Sequence, residues 1–228
     1  MNKLLLCVIS FIMLVSTAMA EDMREYYPDN RLYLTYTVQN GLLNGAVKQY
    51  FPNGKLAYEE NYKAGKLNGR SRYYECSTSD DRCLIAKDIK YVNGKLHGEA
   101  IYYNYHHYEE MTKTSYKNGA KDGLERIYQD GQLNSESLYK QDIIQYRKSF
   151  YDGALYSEAI YKQGLPYTDK VFRKNGILHE EWLYENGKQI KHTIYYENGA
   201  KQREEFYGEK PRKIYYNPDG SVKPDSED

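Results

Sequence analysis

The chain is poor in the aromatic residues that usually fill a core: one Trp and five Phe, against 28 Tyr in 228 residues. It has no charge of either sign to spare, with 32 basic and 32 acidic side chains. Mean hydropathy is −0.88. That value excludes a protein of many membrane spans, and the neutral balance argues against a nucleic-acid partner. Polarity of this degree is also a mark of disorder, but disordered chains do not carry tyrosine at this density. Beyond residues 1–20 no segment shows an apolar stripe with a 3.6-residue period, so no amphipathic helix is expected.

Catalytic signatures are missing as well. There is no Gly-x-Ser-x-Gly, no P-loop and no His-Glu-x-x-His. The five histidines are His97, His106, His107, His179 and His192. His179-Glu180-Glu181 lacks the second histidine of a zinc motif. Carboxylate pairs such as Glu59-Glu60, Glu109-Glu110 and Glu204-Glu205 are adjacent, so on a strand each pair points to opposite faces and forms no facing acid/base couple. His106, His107, Glu109 and Glu110 are too thin a set to assign a metal. The expectation is a protein that is not an enzyme and takes no cofactor or metal.

Residues 1–20 read as a secretory signal peptide. Lys3 supplies the positive start, Leu4 to Val15 the apolar run, and Ala18-Met19-Ala20 the small-x-small cleavage pattern. The mature chain is then expected from Glu21, exported to the periplasm or cell envelope, or secreted. Cys7 would leave with the leader. Cys76 and Cys83 would remain, and an even pair in an exported chain points to a disulfide, since two thiolates are too few for a metal site.

What is abundant is turn chemistry. All 17 glycines lie after the leader, and 13 of them follow Asn or Asp. Asn-Gly and Asp-Gly are the strongest short-range hairpin signals, because tight hairpin turns need positive φ. The spacing is regular. Gly131, Gly153, Gly176, Gly199 and Gly220 step by 22, 23, 23 and 21 residues. Eight residues after Gly54, Gly131, Gly153, Gly176 and Gly199 comes a tyrosine: Tyr62, Tyr139, Tyr161, Tyr184 and Tyr207. Two residues after the first four comes Leu56, Leu133, Leu155 or Leu178. Even offsets put that Leu and that Tyr on one face of a strand. Asn30, with Leu32 two residues later, stands in the place of a turn glycine and brings the first segment into the same series.

The reading is all-β: an elongated array of about nine antiparallel β-hairpin repeats with a period of about 22–24 residues. It occupies residues 21–223, with cap units at 21–39 and 208–223 and a disordered tail at 224–228. Single hairpins are marginal in water, so each unit needs its neighbours to bury its apolar face. Five extra residues enlarge the turn between Cys76 and Cys83, which sit at its mouth and can staple it.

The recurring core is Tyr-x-x-Gly-x-x-x-Gly, as in Tyr62 to Gly69, Tyr91 to Gly98 and Tyr116 to Gly123. This pattern resembles the MORN-repeat variant family, whose bacterial members are commonly labelled YwqK-type antitoxins of toxin–antitoxin systems. The resemblance implies an interaction protein that neutralises a partner toxin, in an antitoxin or immunity role. After Gly123 the second glycine is replaced by Tyr146, Thr168 and Lys191, and Trp182 stands alone where MORN repeats carry one tryptophan per unit.

Rigid hairpins with no catalytic apparatus point to binding of a protein partner. The candidate patch is the aromatic run Tyr102, Tyr103, Tyr105, His106, His107 and Tyr108, since loop aromatics on a rigid scaffold favour recognition. The alternative is an envelope module that binds glycan, such as peptidoglycan or another polysaccharide, or lipid. The tyrosine columns invite it, but there is no basic amphipathic face for a membrane. Exposed strand edges leave the oligomeric state open. The cysteine reading is checked by intact mass after alkylation without reductant: no modified thiol is expected in the exported chain, and two would refute the bridge.

Overall fold

The computed structural model describes residues 19–77, 82–104 and 109–224. Most of the expected leader (1–18) and the last four residues of the expected tail lie outside them.

Among the described residues every regular element is a strand, and 19 strands join in one antiparallel sheet. The chain meanders. Each strand pairs with its neighbours in sequence, from Glu21–Tyr26 at one edge to Arg212–Tyr215 at the other. Two strands, Leu42–Leu43 and Lys66–Leu67, are two residues long and lead into Gly45–Tyr50 and Gly69–Cys76. No pairing among the described residues joins the first strand to the last, so the sheet is open.

Two kinds of turn build it. Nine hairpins among the described residues close through two residues that both have positive φ, such as Asn93-Gly94 (51° and 79°) between Val92 and Lys95. That geometry matches the twist of the flanking strands. Five longer turns, at residues 27–31, 51–55, 173–177, 196–200 and 217–221, share one hydrogen-bond set. In the second, Phe51 N–H donates to the Lys55 carbonyl, Gly54 N–H to the Phe51 carbonyl, and Lys55 N–H to Asn53 Oδ1. Asn30 does take the glycine's place in the first: its φ is 65° and its N–H donates to the Tyr27 carbonyl at 2.9 Å. Asn tolerates this left-handed conformation better than other side chains do. Some two-residue turns are bonded to the short strand one repeat earlier, as in Gly65 N–H to the Leu43 carbonyl and Gly94 N–H to the Leu67 carbonyl.

Bulges overturn the expectation that the repeat's Leu and Tyr share a face. Leu133 faces Tyr128 while Ser135 faces Ile127, so Asn134 is an extra residue on its strand. One extra residue reverses the alternation. Leu133 therefore lies on one face and Tyr139 on the other, and the same shift separates Leu56 from Tyr62, Leu155 from Tyr161 and Leu178 from Tyr184.

Three of the expected Asn/Asp-Gly turns are also bulges. Asn44-Gly45, Asn68-Gly69 and Asp122-Gly123 lie at or within strands, with glycine φ of 111°, 120° and 116°. In the last, Thr114 faces Glu125 but Tyr116 faces Lys121, so Ser115 lies against three residues of the next strand. Where the second glycine is lost, the irregularity is smaller. Leu138 faces Tyr146 and Tyr139 faces Ile144, leaving only Gln145 extra. The missing glycines thus mark a change from a wide bulge to a single-residue one. Conversely, Gln141-Asp142 makes a turn with no glycine (49° and 64°).

The buried centre is thin. Ser71, Ile89, Ala100, Thr114 and Ser137 are nearly inaccessible. They lie in one row that crosses the sheet from strand to strand, Thr114 and Ser137 being linked through Glu125. On the same face, two residues along, come Tyr73, Tyr91, Tyr102, Tyr116 and Tyr139. Burial pushes the phenols of Tyr73, Tyr91 and Tyr116 upward, and Tyr62 beside them reaches about 12 through burial and its hydrogen bond to Glu60. The small residues of that row, Ser71, Ala100, Thr114 and Ser137, let large rings close over it from either side.

Gly123 is where this geometry is least forgiving. Its φ is 116°, and a Cβ there would sit 2.9 Å from the Ser115 Cβ. Gly123→Ala is expected to cost about 2–3 kcal/mol and to lower the denaturant midpoint. Gly153→Asn, in a two-residue turn with open space around it, meets only the backbone strain of its positive φ, which Asn tolerates best, and should lower the midpoint by clearly less. Equal midpoints for the two variants would contradict the bulge assignment.

Candidate functional site

The face opposite the small-residue row carries a line of charges. The row is Lys48, Glu59, Arg72, Asp88, Ile101, Lys113, Arg126, Glu136, Lys148, Glu158, Lys170, Glu181, and each residue is paired across the sheet with the next. Signs alternate nearly throughout. Ion pairs close at Lys48–Glu59 (3.3 Å), Arg72–Asp88 (3.5 Å), Arg126–Glu136 (2.8 Å), Lys148–Glu158 (3.5 Å) and Lys170–Glu181 (3.5 Å). Each pair is worth about 0.2–1 kcal/mol. Each carboxylate between two cations also penalises a slipped register.

Tyrosine hydroxyls finish the acidic rungs. Tyr146 donates to Glu136 at 2.9 Å and Tyr195 to Glu181 at 3.1 Å. Glu204, 4% exposed, accepts from Lys191, Lys201 and Tyr216. Burial alone would raise its pKa, but these three donors outweigh burial and hold the carboxyl at about 2.

The structure divides the predicted aromatic patch. Tyr102 and Tyr103 end the strand Lys95–Asn104. Tyr102 faces Thr112 on one side of the sheet, and Tyr103 faces Glu110 on the other, with Met111 extra between them. Tyr102 is 39% exposed. Tyr105, His106, His107 and Tyr108 lie outside the described residues. Cys76 and Cys83 face each other as the last pair of their hairpin and are joined by a disulfide. His192 stacks on Trp182 with centroids 4.7 Å apart, and its Nε2 lies 2.9 Å from Glu180 Oε2. Among the described residues no group of three or more His, Cys, Asp or Glu could hold a metal ion.

A concave surface lies elsewhere. A hollow of about 590 Å³ opens between the hairpin around Phe150 and Leu155 and the next one at Phe172 to Lys174. A second, of about 290 Å³, adjoins it and shares Asn134, Phe150 and Tyr151. The cause is a step in turn length. The Asp152-Gly153 turn takes two residues, whereas its neighbour at 173–177 takes five. Tyr156, the extra residue of a bulge, and Tyr151 stand at the step, 53% and 63% exposed. Lys174 Nζ lies 5.6 Å from the centre of the Tyr151 ring. Sequence reasoning missed this site because no single segment carries it. The step follows from unequal turns in adjacent units, and only the contrast between Tyr151-Asp152-Gly153-Ala154 and Arg173-Lys174-Asn175-Gly176-Ile177 hints at it.

No known protein family and no curated protein matches the chain. Weak likeness is found to parts of larger solved structures. One is a mutant of S. aureus TarM in complex with Fondaparinux, alpha-GlcNAc-glycerol and UDP, at 14% identity and TM-score 0.31, covering 41% of this chain and 19% of that one. Others are the TcdB2-TccC3-Cdc42 and TcdB2-TccC3-TEV structures, both at 11% identity, with TM-scores 0.24 and 0.23; they cover 86% and 87% of this chain and 13% of theirs. The chain thus spans a fifth or less of each. At these TM-scores the likeness carries no argument.

The Glu204 cluster sets an acid limit on stability. A carboxyl held at about 2 in the fold and near 4.5 when unfolded stabilises above pH 4.5, and that contribution fades as pH falls towards 2. It is on the order of 2 kcal/mol once the half-exposed lysines are discounted. Glu204→Gln should lower stability at pH 7 and flatten its decline between pH 4.5 and 2, read by urea denaturation across pH. An unchanged slope would show that Glu204 does not carry this limit.

Proposed function

We propose that this chain is an exported, non-enzymatic protein that binds a partner protein through its rigid sheet surface. In this reading the sheet is a series of about nine MORN-like hairpin units, capped at 21–39 and 208–223 and preceded by a cleaved leader. The role is that of an antitoxin or immunity protein, which acts by covering the partner's surface. The observation that carries the reading is the open sheet itself. It presents rungs of charge and exposed tyrosines on a framework fixed by hydrogen bonds in every strand and turn, which is the form of a recognition surface. The disulfide at Cys76–Cys83 fits an oxidising compartment outside the cytoplasm.

The test is affinity capture with the tagged full chain, expressed with its own leader, from envelope extract of its native cells and read by mass spectrometry. One protein recovered near stoichiometry is expected, and a toxin among the captured species would assign the antitoxin role. Recovery of no protein, with retention on peptidoglycan or liposomes, would overturn the reading in favour of an envelope module.

A further inference from the structure

The paired hollows around Tyr151 have the features of an anchor site. Their combined space is within the range of ligand clefts, about 300–1,000 Å³. Phe150 and Leu155 face each other at the base of the larger one. Phe172 stands beyond them, and Tyr151 forms the ridge shared with the smaller one. Tyr151 and Tyr156 are among the most exposed large side chains of the described sheet. Among the described residues both rings stay more than half exposed, unlike the tyrosines that close over Ser71 or Ala100. Tyr and Arg beside a fully apolar base are the residue types that dominate binding energy in protein interfaces.

The charges at the two ends differ in sign. Arg173 and Lys174 line the larger hollow. The Arg173 Nη2 donates to the Tyr195 carbonyl at 2.7 Å, while its Nε is buried without a hydrogen-bond partner. Lys174 lies over the Tyr151 ring and forms no ion pair among the described residues. Asp130 and Asp152 line the smaller hollow, each in a two-residue turn and one repeat apart. The groove is therefore dipolar, cationic at one end and anionic at the other, with an apolar seat between. A neutral sugar would leave both ends unused, and an anionic lipid surface would be repelled by the aspartates.

The geometry points to an extended segment of a partner protein as the occupant. Its aromatic or leucine side chain enters the hollow over Phe150 and Leu155, with an acidic residue towards Lys174 and a basic residue towards Asp130 and Asp152. This rests on the partner-binding reading and places its anchor.

The test is selection of a displayed random dodecapeptide library on the full chain, followed by affinity measurement with the selected peptides. Enriched peptides are expected to carry an aromatic or Leu between residues of opposite charge. Tyr151→Ala with Tyr156→Ala should weaken them at least tenfold. Lys174→Glu should abolish the preference for an acidic residue, and Asp130→Asn with Asp152→Asn the preference for a basic one; Asn retains the positive φ of both turns. Far-ultraviolet circular dichroism of each variant checks that the sheet is intact. Peptides that bind the tyrosine variant unchanged would overturn the hollow as anchor while leaving partner binding standing. An absence of enriched peptides, or glycan-array binding lost in the tyrosine variant, would overturn the proposal outright. Failure of the partner-binding reading would be seen separately, in the envelope capture.

Discussion

A sheet of one layer has no second layer to bury its apolar face, and everything else in this molecule follows from how that need is met. The middle row on one face is filled with Ser71, Ala100, Thr114 and Ser137, and the rings of tyrosines two residues away close over it. Phenylalanine would cover as well but would leave a dry edge against water. Tyrosine ends in a hydroxyl that reaches a glutamate or solvent, as Tyr62 reaches Glu60 at 2.8 Å. Half-burial of a ring, from roughly 200 Å² at about 25 cal/mol per Å², gives about 2–3 kcal/mol. Summed over many units this sustains a sheet with almost no core.

The opposite face answers a different problem, that of register. A uniform tyrosine face would tolerate slippage, because one ring resembles the next. The line from Lys48 to Glu181 does not, since a slip by one residue takes its charges to the other face and a slip by two breaks their pairing. Bulges and turns fix the same register from the backbone side. Ser115 against three residues at Gly123, and the five longer turns with their shared Asx bond, each leave one way to pair the strands.

Much of the architecture is legible in the residues. Gly131, Gly153, Gly176 and Gly199 give the period, Asn30 the concealed first unit, and Cys76 with Cys83 the stapled loop. The faces are not legible. Alternation places Leu133 beside Tyr139, and the extra Asn134 undoes it, because nothing in Leu-Asn-Ser announces a bulge. Asp122-Gly123 reads as a turn for the same reason: a glycine with φ of 116° in a strand and one with φ of 72° in a turn are the same letter. The charge line is hidden too. Lys148, Glu158 and Lys170 are 10 and 12 residues apart, and only the bulged register brings them abreast. The hollow at Tyr151 depends on a difference between adjacent turns, which no single motif records.

The meander also governs how the chain comes together. Among the described residues strands pair only with their neighbours, and side-chain hydrogen bonds between units reach about one repeat, as from Asn68 to Asn93. Contacts this local keep loop closure cheap, and they favour rapid assembly over the slow search of a sheet whose distant segments must meet. The molecule can form as a zipper, each hairpin using the last as its template, starting as soon as two units are free of whatever holds the chain. A chain shortened from one end by whole units therefore stays a correctly folded, smaller version of itself, so length is a property that evolution or an engineer can adjust without redesigning the fold.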